Sequence, residues 1–292
     1  MPAAWVGPLV ERFRAWAAEE PAVRAALIVG SQARTVVPAD EWSDLDIVIF
    51  HTAPERLIGS TDWIRQFGSV VLTMVEPTAV LGGRERRVLY AEGRDVDFAV
   101  FPAEATRLIG ESPEGLAVLG RGYRVLVDKD HRFPGDPHPV PPVAVAPLLR
   151  PSDAKFQASV ADFWYHVPWA AKKLRRGELW TAQQAIDGYL KRLLVEMIGW
   201  HAAARKGEGV DTWHAGRFLE RWAEPPALAR FPSTFCRYEL HDLERGLDET
   251  GRLYSDLAQE VAKANRWHYP LEVESAVLTL TRSILEATPA TP

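Results

Sequence analysis

The chain has 292 residues, of which 47% are hydrophobic, enough for two domains with packed cores. A net charge of −5 with 25% charged residues excludes a dedicated nucleic-acid binder, which gathers Lys and Arg against phosphate. A single cysteine, Cys236, excludes an internal disulfide and a cysteine-based zinc site, and no close histidine pair replaces it.

No segment approaches the roughly 18 continuous apolar residues of a membrane span, and the N-terminus lacks a basic stretch followed by an apolar run. The expectation is a soluble cytoplasmic protein without a membrane partner. Leu9, Val10, Phe13 and Trp16 recur at helical spacing and predict an opening amphipathic helix. Short runs rich in Val, Ile, Leu and aromatics follow at 25–29, 45–50, 70–75, 87–91, 95–101 and 123–127, and each reads as a buried strand. Ser60-Thr61-Asp62 caps a predicted helix through Trp63, Ile64 and Phe67.

Between Phe133 and Pro151, prolines 134, 137, 139, 141, 142, 147 and 151 remove backbone donors and disfavour helix, which predicts a stiff, extended linker. Beyond it the strand signals fade. Long helical patterns cover 153–176, 178–205, 237–264 and 271–287, with Gly177 and Gly207 at breaks, and predict a helical bundle. Eleven tryptophans lean toward this half and are expected to pack between helices. The fold class is therefore α+β: a mixed-sheet domain over 1–133, a proline-rich linker over 134–151 and a helical domain over 152–292.

The chemistry concentrates in Gly30-Ser31 and Asp44-Leu45-Asp46. Side chains alternate along a strand, so Asp44 and Asp46 share one face, about 7 Å apart, while Leu45, Ile47 and Ile49 face the core. Asp95-Val96-Asp97-Phe98 repeats the pattern. If the two strands are neighbours, Asp44, Asp46 and Asp97 crowd one spot, where like charges 4 Å apart repel by roughly 4 kcal/mol at an effective dielectric near 20. Either the carboxyls protonate or a divalent cation neutralises them, and an all-oxygen set suits Mg²⁺. Paired metals of this kind serve phosphoryl displacement. Gly30 lets the chain turn sharply after an apolar strand, and a helical start there aims N–H groups and the Ser31 hydroxyl at phosphate.

Gly-Ser, a loop, Asp-x-Asp and a later strand Asp together resemble the polymerase-β-like nucleotidyltransferase superfamily. More narrowly, the chain resembles the aminoglycoside 6-adenylyltransferase (streptomycin adenylyltransferase) family. The matching segments are 30–34, 37–47, 96–102 and Tyr123-Arg124-Val125-Leu126-Val127-Asp128-Lys129-Asp130, followed by Phe163-Trp164, 171–178 and 215–219. The pattern departs at Gln32, where the family usually carries Arg, and at Leu45, which is often Tyr.

The resemblance implies an N-terminal polymerase-β-like nucleotidyltransferase domain, a C-terminal helical bundle and a site in the cleft between them. It implies Asp44 and Asp46 as magnesium ligands, with Asp97 as third ligand or as base. It places Gly30 and Ser31 on the triphosphate, with Lys172 reaching the phosphates or standing solvated beside Lys173. Arg34 either contacts phosphate or pairs with Asp40 or Glu41. The implied partners are ATP and a small-molecule hydroxyl acceptor, an aminoglycoside. A lincosamide or protein acceptor, and a non-catalytic nucleotide-binding module, remain the alternatives.

His51 is expected to be solvated at a strand end. Glu76 and Glu85 are candidate further carboxylates. Trp164, Tyr165, Trp169 and Trp180, beside Glu178 and Asp187, are either pocket walls for a cationic ligand or core.

Overall fold

The computed structural model describes residues 4–34, 38–78, 82–109, 111–133, 151–207 and 216–287. Of the predicted linker only Pro151 lies within the described residues. The chain divides into two compact units, Met1–Ala146 and Pro147–Pro292. Among the described residues no helix is long and apolar enough to cross a membrane.

The first unit starts with helix α1 (Val6–Glu19) and then β1 (Val23–Val29) and β2 (Leu45–His51). Two short helices follow, α2 (Pro54–Gly59) and α3 (Asp62–Arg65), then β3 (Val70–Pro77), β4 (Arg84–Tyr90) and β5 (Arg94–Pro102). Helices α4 (Ala105–Leu108) and α5 (Pro113–Leu119) lead to β6 (Arg124–Asp128). All the predicted strands form, and β4 starts earlier than its apolar run because Arg84, Glu85 and Arg86 also pair. Helices α2, α4 and α5 were not predicted, since one or two turns carry too little periodicity to register.

The strands make one six-stranded sheet in the order β3-β4-β5-β2-β1-β6. All neighbours are antiparallel except β2 and β5, which run parallel. Alternation gives the sheet two different faces. On one, Ile28, Leu45, Ile47, Val96 and Phe98 pack with Phe13 of α1 and with Trp63 and Phe67 in an aromatic cluster. On the other, Leu27, Val48, Phe50 and Phe101 pack with Ala105, Ile109 and Phe133. That second apolar layer covers only part of its face, and toward the start of β2 carboxylates replace it.

Arg86 is a charged residue on the buried face of β4. Its guanidinium donates to the carbonyls of Leu57 and Ile58 and to Thr73 Oγ1, tying α2 to the sheet. Arg86→Leu leaves those buried acceptors without donors, so it is expected to destabilise the protein by about 2–4 kcal/mol. Thermal or urea melting checks this, and an unchanged midpoint would show the contacts to be idle.

The second unit is helical. It comprises α6 (Asp153–Arg175), α7 (Leu179–Gln183), a π-helical segment Gln184–Leu190, and α8 (Lys191–Lys206). After α9 (Leu219–Trp222), α10 (Pro225–Arg230) and a 3-10 turn Phe231–Thr234 come the long α11 (Leu240–Asn265) and α12 (Leu271–Glu286). Ser152 caps α6 by accepting from Lys155 N. The core holds Phe163 stacked on Tyr254, with Trp164 donating to the Tyr269 hydroxyl at 3.0 Å. Lys191 is buried in this core, its ammonium held by Thr234 O at 2.7 Å and Thr250 Oγ1 at 2.8 Å. The predicted 178–205 helix is thus interrupted by the π segment, whose extra residue per turn is invisible to a 3.6-residue pattern.

Candidate active site

The register of the sheet assembles the site. Antiparallel pairing sets Val29, the last residue of β1, opposite Asp46, so the chain turns at Gly30 directly beside the carboxylates. Parallel pairing sets Asp46 opposite Asp97 on β5. Partners in register share a face, so both point the same way. Asp44 lies one residue before β2 and is exposed, whereas Asp46 and Asp97 are half-buried. Each of the three offers an oxygen within 4.8 Å of the others. Leu45, between the two aspartates, is fully buried in the opposite layer.

The crowding shows in the titration behaviour. Burial first, then the charges of Asp44, Asp97 and Glu85, push the Asp46 carboxyl up to about 7, with Arg34 pulling it back. Asp97 is raised to about 6 by burial, opposed by Arg87 and reinforced by Glu85, Asp44 and Asp95. A group that holds its proton near neutrality in the bare protein is one that a divalent cation would ionise.

Gly30 begins a single 3-10 turn, Gly30–Gln32. Its φ is +67°, and a Cβ there would clash with Asp46 Oδ2, so any other residue strains the turn and forces the carboxylate to move. Ser31 is 6% exposed and its Oγ is buried without a hydrogen-bond partner. A buried hydroxyl left unpaired costs about 1–3 kcal/mol, which an arriving phosphate oxygen would relieve. Gln32 Nε2 donates to Asp44 O at 3.1 Å, anchoring the entry to β2 on the same turn. Asp40 is occupied within its own loop, accepting from Trp42 N and the Ser43 hydroxyl.

Arg87, on β4 opposite Asp97, was not singled out from the sequence. Its Nε stands 2.8 Å from both Glu76 Oε1 and Glu85 Oε1, and its Nη2 is 3.5 Å from Asp97 Oδ2. The alternation of buried Arg86, Val88 and Tyr90 with Glu85 and Arg87 was the available signal, and it marks Glu85 and Arg87 as facing away from the α1 layer.

The other candidates have surroundings of their own. His51 is buried rather than solvated, its Nδ1 accepting from Ala53 N at 2.9 Å, and burial lowers its pKa. The Asp128-Lys129-Asp130 block is architectural. Asp128 accepts from the backbone of Arg132 and Phe133, Lys129 donates to Glu20 O and Asp130 pairs with Arg24. In the helical unit Lys172 is exposed in the last turn of α6. Trp164 is core, Tyr165 and Trp180 are exposed, and Glu178 is taken by Lys173 and Arg176, each at 2.8 Å. Asp187 faces Lys191 at 3.5 Å.

A glycine-serine turn facing aspartates from two parallel neighbouring strands, on a mixed sheet followed by a helical unit, is the arrangement expected of a nucleotidyltransferase. Residues 8–284 match the family model described as streptomycin adenylyltransferase. The chain belongs to that family and is an enzyme of nucleotidyl transfer.

It is similar to an aminoglycoside 6-adenylyltransferase of Campylobacter jejuni, 23% identical over 254 residues that cover 85% of each chain. A Bacillus subtilis (strain 168) protein of the same description is 21% identical over 268 residues, covering 90% of this chain and 92% of the relative. The crystal structure of an aminoglycoside 6-adenyltransferase from Bacillus subtilis aligns with 96% of this chain and 99% of its own, at 18% identity and a TM-score of 0.47.

Proposed function

We propose that this enzyme moves AMP from Mg-ATP to a hydroxyl of an aminoglycoside of the streptomycin type and releases pyrophosphate. The convergence of Asp44, Asp46 and Asp97 beside the Gly30–Ser31 turn carries the reading. The set fits a hard divalent cation, because every donor is a carboxylate oxygen and two of the carboxyls are raised by burial and by their acidic neighbours. Asp44 and Asp46 would hold Mg²⁺. When bound, the ion supplies charge neutralisation at the phosphate oxygens and orients the triphosphate.

The residues of the chain do the rest. Gly30 brings the backbone close to the phosphates, and Ser31 donates its otherwise unpaired hydroxyl to a phosphate oxygen. Arg34, whose charge already acts on Asp46, offsets charge building on the α-phosphate. Asp97, raised toward neutrality and turned to Arg87, accepts the proton of the acceptor hydroxyl. The hydroxyl oxygen forms the new bond to the α-phosphorus, the α–β bridging bond breaks, and its electron pair leaves with pyrophosphate.

Ser31→Ala is expected to raise the KM for Mg-ATP by about tenfold and to raise the melting temperature of the ligand-free protein, since the buried hydroxyl has no partner until the ligand arrives. Steady-state kinetics with varied Mg-ATP check this, and an unaltered KM removes Ser31 from the phosphate site. The decisive test of the function is mass spectrometry of streptomycin and related aminoglycosides, a lincosamide and a protein acceptor after incubation with enzyme and Mg-ATP. An added AMP on an aminoglycoside supports the reading, whereas AMP only on another acceptor, or no pyrophosphate release with any, rejects it.

A further inference from the structure

Across the open face, the strand order and register set the polar groups in a row: Glu76 on β3, Glu85 and Arg87 on β4, Asp97 on β5, Asp46 on β2, then the Gly30–Ser31 turn after β1. The buried, unpartnered Ser31 hydroxyl marks the β1 end as the place for phosphate. In-line displacement requires the attacking oxygen to lie opposite the leaving pyrophosphate. With the phosphates toward β1, the acceptor approaches over β4 and β3.

That side of the face is built around one cation. The Arg87 guanidinium meets Glu76 and Glu85 at 2.8 Å and Asp97 at 3.5 Å, so three carboxylates face one guanidinium and the group carries an excess of negative charge. The arginine side chain is 50% exposed, that of Glu76 is 35% exposed, and those of Glu85 and Asp97 are each 15% exposed. The acids are therefore held in the sheet, and the cation that neutralises them sits on the solvent side of a long, flexible stem. A cationic ligand can take its place without moving the sheet.

We propose that Glu76 and Glu85 receive an ammonium or guanidinium group of the acceptor, and that Arg87 occupies this position until the acceptor arrives. These residues then determine selectivity for a polycationic acceptor. The inference rests on the nucleotidyl-transfer reading above for the direction of approach.

The test uses the full chain. Calorimetric titration of streptomycin into wild type, Glu85→Gln and Glu76→Gln, without nucleotide or metal, is paired with kinetics that vary streptomycin and Mg-ATP separately. Each Glu→Gln variant keeps its side-chain shape and is expected to weaken streptomycin binding by about tenfold or more, as loss of a charge-assisted contact predicts. The KM for Mg-ATP should stay within about twofold, because uniform loss of acceptor binding leaves the donor side alone. Arg87→Met is expected to tighten streptomycin binding by removing the competitor.

Unchanged streptomycin affinity in both Glu variants, absence of streptomycin binding by wild type, or a rise confined to the Mg-ATP KM would overturn the inference. Binding by wild type that is lost in the variants, but with no transfer of AMP, supports this subsite and rejects only the proposed reaction. Melting curves of each variant separate lost binding from lost fold.

Discussion

Asp46→Asn is expected to lower the transfer rate by at least about a thousandfold and, in metal-free protein at pH 8, to raise the melting temperature. The two effects share one origin. Asp46 is held at about 7 in the folded chain by burial and by its acidic neighbours, against an ordinary value near 4. A carboxyl raised in this way keeps its proton in the folded state to a higher pH than in the unfolded chain. Its contribution is therefore fully favourable below pH 4 and is lost as pH climbs toward 7. At pH 8 the loss is complete and amounts to as much as about 4 kcal/mol.

Asn matches the size of Asp without the charge, so the variant escapes the penalty. It also loses an anionic oxygen from the cluster of Asp44, Asp46 and Asp97, which removes the reason for a divalent cation to reside there. Scanning calorimetry from pH 5 to pH 8 should show wild-type stability falling and millimolar Mg²⁺ restoring it, with both effects blunted in the variant. Full activity of Asp46→Asn, or a melting temperature below that of wild type at pH 8 without metal, would contradict this account.

Gly30→Ala is the second large effect. A methyl group at this position meets Asp46 Oδ2 at 2.1 Å, and the backbone φ of +67° already disfavours alanine. The backbone cost is modest, about 1–2 kcal/mol, because a single left-handed residue is all that is strained. The catalytic cost is larger, since the variant folds only by rotating the Asp46 carboxylate away from Asp44 and Asp97. Displacing a reacting group by an ångström costs on the order of a hundredfold. A drop of that size or more in kcat/KM is therefore expected, in a protein whose melting temperature falls by only a few degrees. Wild-type kinetics from Gly30→Ala would mean that the turn and the carboxylate are not in contact during the reaction.

The difference between these variants and Arg86→Leu separates the two uses of charge in this domain. Arg86 is satisfied by backbone carbonyls and Thr73, so removing it costs stability. Asp46 is surrounded by like charge, so keeping it costs stability in the absence of a cation. A protein retains the second kind of arrangement for what it binds.

Local rules made much of this molecule legible in the sequence. Alternation with a period of 2 turned Asp46 and Asp97 away from the apolar core, and glycine after an apolar strand marked the turn that only a residue without Cβ can make. Long 3.6-residue patterns located α6, α11 and α12. Partner choice was a different matter, because hydrogen bonding between strands is decided by packing between segments far apart in the chain. Only the tertiary structure inserted β3 and β4 as a meander and returned β5 parallel to β2, placing Asp97 level with Asp46. The same pairing carried Arg87 to Asp97 and linked it to Glu76 and Glu85, residues whose side-chain chemistry is visible in the sequence but whose meeting is not. The Asp128-Lys129-Asp130 block marked the family and served the fold, since its partners Glu20 and Arg24 lie about a hundred residues upstream, a separation over which periodicity carries no information.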